Sequence, residues 1–288
     1  MIKKSEKHAD LHIHTIYSDG IYTPAQVVNF AHKTELAAIA ITDHDITEGV
    51  EPAIKEAKKH GLEVIPGIEL SCELEGKPNS EIHILGYYGD FCDKKFQKEL
   101  DVFRKTRVER ASKILKKLSK LKIYLDEKEL LKKNPDTNSI GRLHIAQLLL
   151  SEGYAVNIRE CFDKWLAEGK PAYHPKYKIN PKNAIELLLA IDSIPVLAHP
   201  KIGADDIELV KKLKGYGLAG IEAYASKHGK KDIEKYLSWA KELELLVTGG
   251  SDFHNSENGS TGTLGALNVP YKVAEELKEF ITSPRPLL

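Results

Sequence analysis

Histidines and carboxylates recur along this chain in short clusters whose spacing suits metal ligation. In Ala9-Asp10-Leu11-His12-Ile13-His14 the two-residue period of a strand puts Asp10, His12 and His14 on one face and the apolar residues on the other. Two imidazoles on one face near a strand end can reach one cation. Taken alone, the pair reads more readily as two ordinary histidines. The same grammar recurs, however, in Thr42-Asp43-His44-Asp45, Gly67-Ile68-Glu69-Leu70-Ser71, Glu81-Ile82-His83-Ile84, Leu197-Ala198-His199-Pro200 and Gly250-Ser251-Asp252-Phe253-His254. Asp19, in Tyr17-Ser18-Asp19-Gly20, adds a carboxylate just past the first of these runs. Such a set exceeds the four ligands of a single zinc, so at least two divalent ions are implied and three is the natural full count. Without thiolates, the N/O donors suit Mn2+, Zn2+ or Fe2+. The competing reading, a buried network of hydrogen-bonded polar groups, would leave many ionisable groups poorly compensated.

The elements that must position these residues alternate. A strand over 9–14, a helix over 23–34, a strand over 36–42, a helix over 48–60 and strands over 62–68 and 81–88 read as βαβ units with a parallel sheet. Between 94 and 176 the texture becomes long Lys/Glu/Leu-rich periodic segments, a helical insertion left through the Pro- and Tyr-rich stretch that follows Gly169. The α/β rhythm then returns with strands over 194–198, 219–224 and 245–250, each alternating with a helix, the last helix lying near 273–281. The fold class is therefore α/β, a closed or nearly closed seven-stranded barrel formed by 1–93 and 177–288, interrupted after its fourth strand by a helical cap over 94–176. An open doubly wound sheet has the same pattern. In either fold the carboxyl ends of the strands, where the clusters fall, are where sites are built.

Composition narrows the partners. Lysine plus arginine balance aspartate plus glutamate at 42 each, which argues against a protein that coats duplex nucleic acid. Three cysteines without a CxxC pair indicate neither a disulfide framework nor a zinc ribbon, and a reducing cytoplasm fits them. No apolar run approaches a membrane span. There is no Walker loop and no GxGxxG after a strand. The Lys-rich run over 113–122 reads as an amphipathic helix with a solvated basic face.

The DLHIHT…SDG, TDHD, GIELS, LAHP and GSDFH segments resemble the polymerase and histidinol phosphatase (PHP) family of metal-dependent phosphoesterases. Within the insertion, Gly141-Arg142-Leu143-His144-Ile145-Ala146 and the stretch from Gly169 to Lys176 are similar to the branch that includes nucleoside 3′,5′-bisphosphate phosphatases and RNA 5′-end exonucleases. The resemblance implies a distorted seven-stranded (β/α) barrel with two to three divalent metals. It implies that His12, His14, Glu69 and Asp252 hold one metal, that Glu69, His83 and His199 complete the neighbouring positions, and that Asp19, His44 and His254 surround a third. A hydroxide between two such cations is a nucleophile near neutral pH, so no serine or cysteine nucleophile is required. His199 or His254 would protonate the leaving oxygen, with Asp252 on the same machinery.

The expected substrate is a small phosphorylated molecule, most plausibly a nucleoside 3′,5′-bisphosphate losing its 3′-phosphate. The alternatives are 5′→3′ exonuclease or diesterase action on short RNA, and a non-catalytic metal-binding module. Arg142, at the start of a helical segment, and Lys176, in a Pro-flanked loop, are candidate phosphate contacts. His174 and His228 are further candidate contacts, and Asp45 and Glu222 are candidate orienters of ligating imidazoles. No membrane and no obligate protein partner are indicated.

Overall fold

The computed structural model describes residues 6–77, 80–133, 140–254 and 262–283. Local signals start the helices. Thr23 caps the Gln26 amide and the Gln26 side chain returns to the Thr23 amide, with Pro24 behind it, so α1 (Pro24–Lys33) begins there. Asn180, accepting from the Lys182 amide, and Pro181 likewise start the helix over 181–189, without the returning side chain. In chain order the remaining elements are β1 (His8–Ile13), β2 (Ala38–Ile41), α2 (Val50–Ala57), β3 (Glu63–Cys72), β4 (Ile82–Tyr87), α3 (Lys94–Lys120), α4 (Glu127–Lys133), α5 (Arg142–Ser151), α6 (Ile158–Cys161) with a π-helical turn (Phe162–Leu166), α7 (Pro181–Leu189), β5 (Ile194–Leu197), α8 (Ile207–Lys214), β6 (Gly220–Ala225), α9 (Lys230–Glu242), β7 (Leu246–Gly250), β8 (Val269–Pro270) and α10 (Lys272–Thr282). None of the described helices is long and apolar enough to cross a membrane.

The strands form one sheet in the order β7-β6-β5-β4-β3-β2-β1-β8. Its ends approach each other where Ile13 bridges Phe253 in parallel and the His14 amide donates to the Phe253 carbonyl at 2.9 Å, giving a nearly closed barrel. Gly250 permits that closure, because a Cβ there would sit 2.3 Å from the His12 nitrogen.

Two features depart from the sequence reading. The sheet is mixed, since β4 runs antiparallel to both β3 and β5, and the short β8 pairs antiparallel with β1. Among the described residues no helix separates β3 from β4, and the chain returns antiparallel where a crossover would have kept it parallel. The second departure is a bulge in β1: Asp10 pairs with Ile39 but Ile13 with Ile41. The strict two-residue period fails there, and Leu11 and Ile13 enter different cores.

Small and branched residues of β1 to β5 and β8 pack with α10 in one core, and α1 and α2 cover Ile39 and Ile41 in another. The long α3 serves two. Phe96, Leu100 and Phe103 pack with the barrel residues Ile68, Leu70 and Ile84, whereas Ile114, Leu115 and Leu118 join α5 and Leu166 in the cap's own core.

Candidate metal centre

Nine ligand-type residues meet at one mouth of the barrel, at the carboxyl ends of its parallel strands and the amino end of the antiparallel β4. Glu69, in the second half of β3, is the hub. Its Oε1 lies 2.9 Å from His83 Nδ1, 3.1 Å from His199 Nε2 and 3.3 Å from His12 Nε2, and its Oε2 lies 2.9 Å from His44 Nδ1 and 3.3 Å from His14 Nε2. Asp252 Oδ1 reaches His14 Nε2 at 3.3 Å and His12 Nε2 at 3.6 Å. Asp19 faces His254 Nε2 at 3.2 Å, His14 Nδ1 at 3.6 Å and His44 Nε2 at 3.7 Å. Four overlapping groups have ligand atoms all within 4.8 Å of one another: His12, His14 and Asp252; His12, Glu69 and His199; His44, Glu69 and His83; and His14, Asp19, His44 and His254. Compared with the grouping expected from the sequence, His83 falls in with His44 while His199 falls in with His12, and His14 also faces the third group.

The donors fit divalent cations. His12 Nε2, His14 Nε2, His44 Nδ1, Asp19 Oδ1 and Glu69 Oε2 are buried without a hydrogen-bonding partner, although they converge on one another. Buried polar atoms in native proteins are almost always satisfied, and a cation satisfies this set together. Electrostatics agree. Burial alone would depress the His14 imidazole, but Asp252, Glu69 and Asp19 lift it to about 10, so protons stand where cations would bind. Burial also raises the cost of ionising Asp19 and Glu69, yet the surrounding imidazoles hold both well below the ordinary carboxylate range. Three residues in or next to these groups have positive φ, Asp45 (58°), His199 (24°) and Asp252 (54°).

Behind the ligands stand further buried acids. Glu222 accepts from His12 Nδ1 at 3.0 Å and from the His199 amide at 2.7 Å, so one carboxylate orients two ligand residues. Asp10 does not share His12's role. Beside the bulge it accepts from the amides of Ser251 at 2.8 Å and Gly265 at 2.9 Å, fastening the turn that carries Asp252. Asp43 accepts from the Thr15 amide at 2.7 Å and from Ser18 Oγ at 2.5 Å, shaping the loop that presents Asp19. Asp45 touches no ligating imidazole, contrary to the sequence expectation. It accepts from the Ser71 amide at 2.7 Å and from Arg107 Nη2 at 2.5 Å, with Lys176 Nζ at 3.4 Å.

Arg107 and the next arginine on the same face, Arg110, were missed from sequence. Arg104, Arg107 and Arg110 fall at i, i+3 and i+6 on α3, a spacing that puts three guanidiniums along one stripe and could have drawn attention to it. Arg110 lines a cavity of about 310 Å³ with Arg142, Lys176, Lys178, Phe162 and Tyr173, its wall completed by Glu73, Glu81 and Glu168. Arg142 lies over the Phe162 and Tyr173 rings at 5.6 and 5.5 Å and donates to the Leu166 carbonyl at 3.2 Å. Burial lowers Lys176 to about 8 in spite of Asp45. Two candidate contacts stand outside these groups. His174 offers its carbonyl to Arg110 Nε at 2.8 Å. His228 Nδ1 lies 2.8 Å from the Ala223 carbonyl, its ring against Tyr236, and its Nε2 is buried without a hydrogen-bonding partner.

Known proteins share this arrangement of sequence. The PHP domain family matches residues 10–173. A 5′-3′ exoribonuclease of Haemophilus influenzae is 32% identical over 255 residues, covering 86% of this chain and 90% of its own. A 3′,5′-nucleoside bisphosphate phosphatase of Chromobacterium violaceum is 30% identical over 254 residues, covering 87% and 88%. Among solved structures, a metal-dependent phosphoesterase, so assigned, from Bifidobacterium adolescentis superposes with a TM-score of 0.85 at 25% identity over 96% of this chain and 97% of that one. A Chromobacterium violaceum protein described as an amidohydrolase with bound sulfate superposes with a TM-score of 0.78 at 28% identity over 94% and 96%. With a nearly closed barrel, a convergent histidine and carboxylate centre and these relatives, the chain belongs to the PHP family of phosphoesterases, hydrolases of phosphate ester bonds.

Proposed function

We propose that the chain removes the 3′-phosphate from nucleoside 3′,5′-bisphosphates, holding the 5′-phosphate in the cavity between barrel and cap. The observation that carries this reading is the position of Lys176. It lines the cavity of about 310 Å³ and also lies 3.4 Å from Asp45, the residue after the ligand His44. The cavity, whose wall carries four cations beside three carboxylates, therefore adjoins the metal centre, which suits a substrate with two phosphates separated by a ribose.

His12, His14, Asp19, His44, Glu69, His83, His199, Asp252 and His254 would hold two to three divalent ions, of which Mn2+, Zn2+ and Fe2+ suit the donors. Such ions, when bound, provide a nucleophile at neutral pH and neutralise charge on the phosphoryl oxygens. The protein's own groups do the rest. Lys176, Arg110 and Arg142 fix the remote phosphate, and the aromatic faces under Arg142 hold its guanidinium plane in place. His199 and His254 belong to different ligand groups of the cluster, and whichever is left unligated would pass a proton to the departing O3′. Both ends of the ester are thereby held before the bond breaks.

The relatives named as exoribonucleases favour a second reading, in which the phosphate at the metals is a diester of short RNA. Phosphate release from adenosine 3′,5′-bisphosphate, assayed beside nucleotide release from a 5′-phosphorylated RNA tetramer, tests both. Turnover of the bisphosphate by the metal-loaded chain, reduced strongly by Arg142→Ala through KM, is expected. Cleavage of the tetramer with no release from the bisphosphate would replace the first reading with the second.

A further inference from the structure

His228 is a buried imidazole for which neither the ligand groups nor the cavity has a use. It follows β6, and 8% of its surface is exposed. Its Nδ1 lies 2.8 Å from the Ala223 carbonyl, an oxygen that can only accept, so Nδ1 carries the hydrogen and the neutral ring keeps its lone pair on Nε2. The ring also packs against Tyr236, with centroids 4.7 Å apart, so its orientation is fixed from two sides. Nε2 is nevertheless buried without a hydrogen-bonding partner.

A second unpaired nitrogen is its complement. His199 turns Nε2 toward the centre, 3.1 Å from Glu69 Oε1, while its Nδ1 is buried without a partner. An imidazole that ligates through Nε2 bears its hydrogen on Nδ1, and that N–H is almost always donated to a carboxylate, a carbonyl or water. His12 obeys the rule through Glu222. Glu222 serves His199 only at its amide, at 2.7 Å, so the His199 ring lacks an acceptor. Strand register brings the two rings together. Leu197 of β5 pairs in parallel with Ile221 of β6, so His199, two residues on, comes beside Ala223, two residues on from Ile221 and the residue whose carbonyl holds His228. Electrostatics agree. Burial, the largest influence, lowers the His228 pKa, the Ala223 carbonyl and Glu222 oppose the shift, and His199 adds to it, so the two imidazoles lie within reach of each other's charge. One ring thus buries a donor and the other an acceptor, each costly to leave unpaired.

We propose that His228 is the positioning residue of His199, its Nε2 accepting the hydrogen bond from His199 Nδ1–H when His199 Nε2 is engaged by a divalent ion. This rests on the reading of His199 as a metal ligand. The Ala223 carbonyl, a backbone atom of β6, then fixes through two imidazoles in series which nitrogen of His199 faces the ions, as Glu222 does directly for His12.

Zn2+ alone is the probe, and no turnover is needed. In nuclear magnetic resonance spectra of the Zn2+-loaded full chain with nitrogen-labelled histidines, the His199 Nδ1–H proton should exchange slowly with water and show a scalar coupling across the hydrogen bond to His228 Nε2. Two variants separate the acceptor from the packing. His228→Asn keeps a donor for the Ala223 carbonyl but places nothing at Nε2, whereas His228→Gln keeps an acceptor at the reach of Nε2 but loses the ring donor. Zn2+ affinity, measured by competition with a chromophoric chelator, should fall about tenfold or more in His228→Asn and stay within about threefold of the wild type in His228→Gln, since the outer partner of a ligating histidine is typically worth about 10–100-fold. Equal affinities in the two variants, or the reverse order, would overturn the assignment. So would a Zn2+-loaded wild type without the coupling, a result that needs no substitution and holds even where a variant fails to fold. An unchanged nitrogen chemical shift of His199 Nε2 on Zn2+ loading would overturn the ligand role of His199, and the assignment with it.

Discussion

His144 supplies a pH response whose size and sign follow from its surroundings. It is buried at the third position of α5, where Nδ1 accepts from the Gly141 amide at 2.9 Å, so the ring serves as a neutral acceptor. Burial is the main reason its pKa falls from 6.5 to about 4; Asp19 opposes the shift and Arg107 adds to it. Between those two values the unfolded chain binds a proton that the folded chain refuses. Stability contributed by the neutral ring is therefore intact above about 6.5 and is lost as pH falls toward 4. The difference of 6.5 − 4 = 2.5 units corresponds to about 3 kcal/mol in full, and to about 2 kcal/mol by pH 5. With an unfolding entropy of about 2.1 cal/mol/K per residue over 288 residues, 2 kcal/mol is about 3 °C in Tm. His144→Gln keeps an acceptor at the capping position but does not titrate. Thermal unfolding of both proteins in chelator, from pH 7.5 to 5, should show the wild type losing about 2 kcal/mol relative to the variant. Curves that run parallel within about 0.5 kcal/mol across that window would refute the claim that a buried neutral imidazole sits there.

Three further outcomes follow from the site. Arg107→Met should destabilise the chain by about 3 kcal/mol, because Asp45 keeps Ser71 and Lys176 but loses its guanidinium; Asp45→Asn should recover much of that loss in the double variant, and additive urea-unfolding energies would contradict it. Gly250→Ala should cost at least about 2 kcal/mol and lower bound-metal stoichiometry, since the new Cβ collides with β1 at His12; elemental analysis and unfolding together check this. His12→Ala and Asp252→Ala should abolish phosphate release and reduce metal content while far-UV circular dichroism is retained, and exhaustive chelation of the wild type should do the same until divalent metal is restored.

Most of the ligand-type residues were legible because strand ends announce themselves. His12, His44, His199 and Asp252 close or follow an apolar run at the carboxyl end of a parallel strand, and an α/β fold sends those ends to one mouth. His83 is the exception: it is the second residue of β4, an end that an all-parallel sheet would have sent away from the mouth, and the antiparallel run of β4 sets it opposite Ser71, where it faces Glu69 at 2.9 Å. What the sequence hid are relations between elements distant along the chain. The bulge that separates Asp10 from His12 arises from register against β2, and nothing within Ala9 to His14 encodes it. Arg107 and Arg110 resemble any helix arginine until α3 is seen to run from the barrel core into the cap core, past Asp45 and the cavity. Their chemistry also runs against composition. A chain with equal numbers of acids and bases brings Arg110, Arg142, Lys176 and Lys178 to one cavity beside the cap, and histidines with Glu69, Asp19 and Asp252 to the candidate metal centre. On the proposed reading a bisphosphate would meet both at once, with divalent ions at one phosphate and guanidinium or ammonium groups at the other. Neutral net charge is therefore compatible with strong anion recognition, because segregation within the fold, and not the total, sets the local field.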